Sequence, residues 1–150
     1  MESGSKKLAD LEALQQEAAR FVGMLAPLAA GASLVTLSGE LGAGKTSFAQ
    51  GMARALGVED SVTSPTFVLE KIYELPEAAS GGFKRLVHID AYRLEGERSL
   101  APLGFDELMQ DARNLILLEW PERVAEQLLK AAAHLTFSVE ADNTRSITYA

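Results

Sequence analysis

SLVTLSGELGAGKT, residues 33–46, joins a short apolar run to a glycine-rich loop and opens onto a helical pattern. The run Ser33–Ser38, β-branched in part and bounded by Gly31 and Gly39, predicts a buried strand. Lys45–Leu56 carries Phe48, Met52 and Leu56 at helical spacing and stops at Gly57, a C-terminal glycine. Between them Gly39–Thr46, GELGAGKT, fits G-x-x-x-x-G-K-[ST] without mismatch. In that pattern glycines let backbone N–H groups close around phosphate oxygens where a Cβ would intrude. Lys45 supplies a mobile point charge for the β- and γ-phosphates, and the Thr46 hydroxyl can ligate Mg²⁺. The helix start adds unsatisfied N–H groups and a positive dipole end. A chain of this composition would show the pattern by chance about once in 200. Nucleotide binding by Gly39, Glu40, Leu41, Gly42, Ala43, Gly44, Lys45, Thr46 and Ser47 is the expectation.

Outward from this loop, strands and helices interleave. Leu11, Leu14, Ala18, Phe21 and Leu25 recur every three or four residues over Asp10–Ala26 and predict an amphipathic helix ended by Pro27. Phe67–Glu74 and Arg85–Asp90 read as strands of a long hairpin around PEAASGG. Asn114–Glu119, NLILLE, reads as a buried strand, and Pro121–Lys130 as a helix with proline in its first turn. His134–Glu140 and Arg145–Tyr149 alternate as two closing strands around a turn at Asp142–Asn143. The fold class expected is α/β, a P-loop-type mixed sheet flanked by helices. One domain over residues 1–150 is expected, with a helix at about 10–26, a nucleotide-binding core at about 33–130 and closing strands at about 134–149.

Composition narrows the class without naming a chemistry. The chain has 150 residues, 47% hydrophobic, and a formal net charge of −7. That size suffices to fold without staples. No cysteine is present, which excludes a disulfide scaffold and a thiolate zinc site, and with His88 and His134 alone a His-rich metal site is not expected. No apolar run approaches the ~20 residues of a membrane span, and Met1–Lys7 lacks the apolar core of a signal peptide, so a cytoplasmic protein is expected. The acidic balance argues against wrapping nucleic acid unaided, but not against joining an assembly that handles RNA.

A phosphate loop needs a carboxylate at the end of an apolar strand to complete a magnesium shell. LVHID ends in Asp90 and LILLE in Glu119, each where ligands collect in open α/β sheets. The second strand is more apolar, so Glu119 is expected at the metal and Asp90 at the water or at a water-mediated metal contact. Thr66, in TSPTF, can reach the γ-phosphate as switch segments do, although a plain Ser-Pro turn explains the same residues. Arg93 can neutralise transition-state charge, or simply pair with Glu95 or Glu97. His88 reads as a packed histidine rather than a base. Trp120 can stack on a base or serve as a core lid. The acids of Asp106–Asp111 read as a solvated face.

No N/T-K-x-D segment reads guanine, no LSGGQ marks a transporter ATPase, and the length leaves little room for the lid of a nucleotide kinase. GELGAGKTSF, VTSPTF, HIDAYRL, LGFDEL and LLEWPE, in that order between about Leu34 and Arg123, resemble the bacterial TsaE family. The resemblance implies a small P-loop ATPase that acts with TsaB and TsaD in making threonylcarbamoyladenosine at position 37 of tRNA. It implies ATP and Mg²⁺ as cofactors, with turnover resetting the TsaB–TsaD complex and tRNA met only through that complex. Matched by motif, Lys45 and Thr46 fall on the phosphate and magnesium positions, Thr66 in the switch-like segment, Asp90 on the H-x-D acid, and Glu119 and Trp120 on the E-W pair. A small nucleotide or metabolite kinase and a non-catalytic ATP-dependent binding module are the alternative readings.

Overall fold

The apolar run before the phosphate loop becomes β2 (Ser33–Gly39), the middle strand of a seven-stranded sheet ordered β1-β7-β6-β2-β5-β4-β3. The computed structural model describes residues 4–40, 42–59, 70–76, 81–92, 100, 103–124, 131–142 and 144–150. The other strands are β1 (Gly4–Leu8), β3 (Glu70–Glu74), β4 (Arg85–Asp90), β5 (Asn114–Glu119), β6 (Ala133–Val139) and β7 (Arg145–Tyr149). β6, β2, β5 and β4 run parallel, while β3 pairs antiparallel with β4, and β7 antiparallel with both β6 and β1. The expected mixed α/β sheet is therefore present.

Because side chains alternate along each strand, the sheet sorts its apolar residues into two cores. Val35, Leu37, Leu86, Leu115, Leu117, Leu135 and Phe137 face α1 (Leu11–Gly23) and α2 (Lys45–Ala55). Leu34, Val87, Ile89, Ile116 and Leu118 face the opposite way, where Phe105 of α3 (Phe105–Met109) and Val124 cover them. All six residues of β5 are buried, as a parallel strand covered on both faces must be. On the first face Phe21 lies 6.1 Å from Phe48 and 5.5 Å from Tyr149, and Phe48 lies 5.3 Å from Phe137, centroid to centroid. These rings bridge α1, α2 and the sheet, so they hold the loop before α2 against the strand ends.

Several boundaries differ from the sequence reading. Asp10 is the cap of α1 rather than its first residue, because its carboxylate accepts the Ala13 N–H at 2.8 Å. The expected helix Pro121–Lys130 begins as a single 3₁₀ turn, Pro121–Arg123, and breaks at Val124, whose φ of −133° turns its side chain into the second core; residues 125–130 lie outside the described ones. Likewise β3 is described from Glu70, and the Phe67–Leu69 part of that expected strand lies outside. β1 and α3 were not foreseen. β1 is a polar edge strand whose lysines blunt the sheet margin, and α3 is too short to show a period. Asp106 and Glu107 are exposed as expected, but Asp111 is not merely solvated: it pairs with Arg85 Nη2 at 2.5 Å and with Arg113 Nε at 3.1 Å. Arg85 Nε also donates to Asn114 Oδ1 at 2.7 Å, which pins the starts of β4 and β5 together.

One buried charge ties the sheet margin to the helices. Glu17 of α1, 6% exposed, accepts from Lys6 of β1 at 3.3 Å, from Arg20 at 2.8 and 2.5 Å, and from the Tyr149 hydroxyl of β7. Burial alone would raise its carboxyl, yet the bonds from Arg20, Tyr149 and Lys6 win and hold it down to about 2. A depressed carboxyl stabilises the fold above its unfolded value of 4.5 and loses that contribution as pH falls toward 2. Urea unfolding is expected to show about 2–3 kcal/mol lost through this group between pH 7 and pH 2.5, a component missing from Glu17→Gln. Equal pH slopes for the two proteins would remove Glu17 as the cause.

Candidate functional site

Three neighbouring strands deliver their last residues to one edge of the sheet: Gly39 from β2, Glu119 from β5 and Asp90 from β4. Asp90 lies opposite Glu119 in register, and Glu119 lies opposite Leu37, two residues before the loop. Paired residues of parallel strands project to the same face, so the two acids sit side by side at the edge covered by α1 and α2.

The loop after β2 has the backbone that its glycines allow. Gly39 holds φ 139°, and a Cβ there would meet the Phe137 carbonyl oxygen at 2.4 Å. Gly44 holds φ 107° as the cap of α2, and no side chain caps the amides that follow. Those first-turn N–H groups are thus left for an anion. Thr46 and Ser47 lie in the same first turn, half-buried, and Ala43 is fully buried beneath the loop. Glu40 and Gly42 are exposed, and Leu41 lies outside the described residues.

Lys45 is 4% exposed, unusual for a lysine, and its ammonium has two partners. It donates to the Gly39 carbonyl at 2.5 Å and lies 3.6 Å from the centre of the Trp120 ring. The second contact is a cation–π interaction. Burial lowers the Lys45 pKa, and Glu119, Glu122 and Asp90 act against that fall. Trp120 takes φ 61°, the one positive value at a non-glycine among the described residues. That conformation costs on the order of 1–3 kcal/mol and clusters at functional sites. Its ring also meets Tyr92, 4.8 Å between centroids. Asp90 accepts the Tyr92 N–H at 2.9 Å, closing a turn just after β4, and Ser38 donates to Glu122 at 3.3 Å.

Asp90, Glu119, Trp120, Lys45, Thr46 and the described loop residues are therefore brought to one strand-end edge. Thr66 and Arg93 lie outside the described residues. His88, read as a packed histidine, is indeed 1% exposed, but its Nε2 lies 2.5 Å from Glu119 Oε2. Its spacing of two from Asp90 was the available signal, since i and i+2 share a strand face. Tyr92 and Glu122 also reach this edge, and both fall inside the quoted motifs without a spacing that singles them out.

The available metal donors here are oxygens, the set a hard cation prefers. No group of three or more acids, histidines and cysteines that could cage a metal occurs among the described residues. No helix among the described residues is long and apolar enough to cross a membrane.

Residues 8–147 match the family model described as threonylcarbamoyl adenosine biosynthesis protein TsaE. The chain is 36% identical over 135 residues to the tRNA threonylcarbamoyladenosine biosynthesis protein TsaE of Treponema pallidum, covering 90% of this chain and 94% of that one. It is 40% identical over 129 residues to the protein of that name from Streptomyces coelicolor, covering 83% of each. Its fold superposes on the crystal structure of Bacillus subtilis YdiB with a TM-score of 0.73 at 27% identity, covering 99% of this chain and 84% of that one. A phosphate-type loop set against two strand-end acids, in a chain matched over nearly its whole length, places this protein in the TsaE family of tRNA threonylcarbamoyladenosine biosynthesis.

Proposed function

We propose that this chain binds Mg-ATP at the β2–α2 loop and hydrolyses it slowly by itself, with turnover coupled to a TsaB–TsaD complex. The observation that carries the reading is the register pairing of Asp90 with Glu119 beside a buried Lys45 at the start of α2. Loop amides and Lys45 bind the phosphates. Thr46 and Glu119 would hold the magnesium ion, which when bound neutralises charge on the transferring phosphate oxygens. Asp90 orients the attacking water, Thr66 senses the γ-phosphate and Arg93 adds positive charge. Trp120 borders the cradle through its contact with Lys45. Sites of this kind work by positioning and electrostatics, and a partner-supplied arginine is worth ~10³–10⁵ in rate. The net charge of −7 fits a protein that meets tRNA through its partners.

The test is phosphate release from Mg-ATP by this chain, alone and with TsaB and TsaD from the same source. Slow release alone and a clear rise with the pair are expected. No response to the pair would remove the coupling. ADP formation that required a small-molecule acceptor would make the protein a kinase, and ATP-dependent association without phosphate release would make it a binding module.

A further inference from the structure

We propose that His88 is a positioning residue: it fixes the Glu119 carboxylate for the cation and thereby sets the divalent-cation affinity of the site. This inference rests on the Mg-ATP reading above.

Glu119 is 2% exposed at the end of β5, and a buried carboxylate must have a donor. Among the described residues one hydrogen bond reaches its side chain, from His88 on the adjacent strand. Lys45 bears on Glu119 only through its charge, its ammonium being occupied by Gly39 and the Trp120 ring. The orientation of Glu119 therefore depends on the imidazole. One carboxylate oxygen is held by His88, and the other accepts no hydrogen bond among the described residues.

The rest of His88 argues against simple core filling. Its Nδ1 is buried and finds no partner among the described residues. Such an orphaned polar atom is destabilising wherever it is not required. A leucine would fill the same space without that penalty; it could not donate to Glu119. The strand geometry supplies the rest: His88 stands two residues before Asp90 on the same face, so one strand presents both the water-orienting acid and the support of its neighbour. Outer partners of metal ligands typically change metal affinity by about 10–100-fold when removed.

The experiment is Mn²⁺ binding to the ADP-loaded protein, followed by electron paramagnetic resonance, with metal-free ADP affinity and thermal unfolding measured alongside. His88→Leu is expected to weaken Mn²⁺ binding by about 10–100-fold while metal-free ADP binding is unchanged. His88→Gln places an amide nitrogen near the Nε2 position and is expected to restore binding, whereas His88→Asn, too short to reach, is not. Added to Glu119→Gln, His88→Leu is expected to cause no further loss, because the two residues act as one unit. If His88→Leu does not fold, the Gln and Asn variants decide the matter. Wild-type Mn²⁺ affinity in His88→Leu, or equal losses in Gln and Asn, overturns this inference alone. Absence of Mn²⁺ binding by the wild-type protein with ADP overturns the Mg-ATP reading and this inference with it.

Discussion

Lys45→Ala is expected to weaken ATP binding by roughly 10- to 150-fold, the equivalent of one hydrogen-bonded charge at about 1.5–3 kcal/mol. Turnover is expected to fall by a further ~10²-fold, because charge developing on the phosphate oxygens loses a preorganised donor. The fold is expected to be no less stable. The ammonium is buried against its preference for water, and burial pulls its pKa down despite three nearby acids. Removing it relieves that desolvation while giving up one carbonyl bond and the ring contact. Equilibrium titration with a fluorescent ATP analogue, set beside thermal unfolding, separates the two effects. ATP affinity within a few-fold of wild type would mean that the phosphates sit elsewhere.

Variants at Asp90 are expected to separate binding from chemistry. Asp90→Ala is expected to retain ATP affinity and lose hydrolysis by about 10²–10⁴-fold, the range for a positioned base or water-orienting acid. Alanine also removes the acceptor of the Tyr92 N–H, and that turn places Tyr92 against Trp120. Asp90→Asn keeps the acceptor and loses only the charge, so it is the cleaner variant. Both are expected to fail in single-turnover hydrolysis with normal ATP binding. An asparagine variant as fast as wild type would end the assigned role, and an alanine variant failing alone would shift it to the turn.

What is legible in the sequence is what periodicity and spacing encode. NLILLE is a strand buried on both faces, and β5 has all six residues buried. GELGAGKT dictates its own positive-φ backbone, and Gly39 and Gly44 have it. What escaped was relational. The Lys45–Trp120 contact joins residues far apart in sequence, and no spacing rule announces it. Trp120 at φ 61° breaks the expectation that a bulky residue avoids that region, so the helix expected after it begins as one 3₁₀ turn. His88 was legible as buried but not as the partner of Glu119, because the bond crosses from β4 to β5. β1 escaped for another reason: a polar edge strand has weak alternation to show.

That edge strand bears on how the molecule is made. β1 pairs with β7, residue 4 opposite residue 149, so its ladder joins the most distant parts of the described chain. Closing so long a loop carries an entropic cost that nearer contacts do not. Such non-local pairing slows folding and is rewarded only once the strands between are in place. During synthesis β1 emerges well before β7, the strand it lies against. The parallel centre that presents Gly39, Asp90 and Glu119 can assemble around β2 before β7 is available. The strand-end edge is thus positioned to form ahead of the margin, and Glu17, binding Lys6 and Tyr149 together, ties that margin in afterwards.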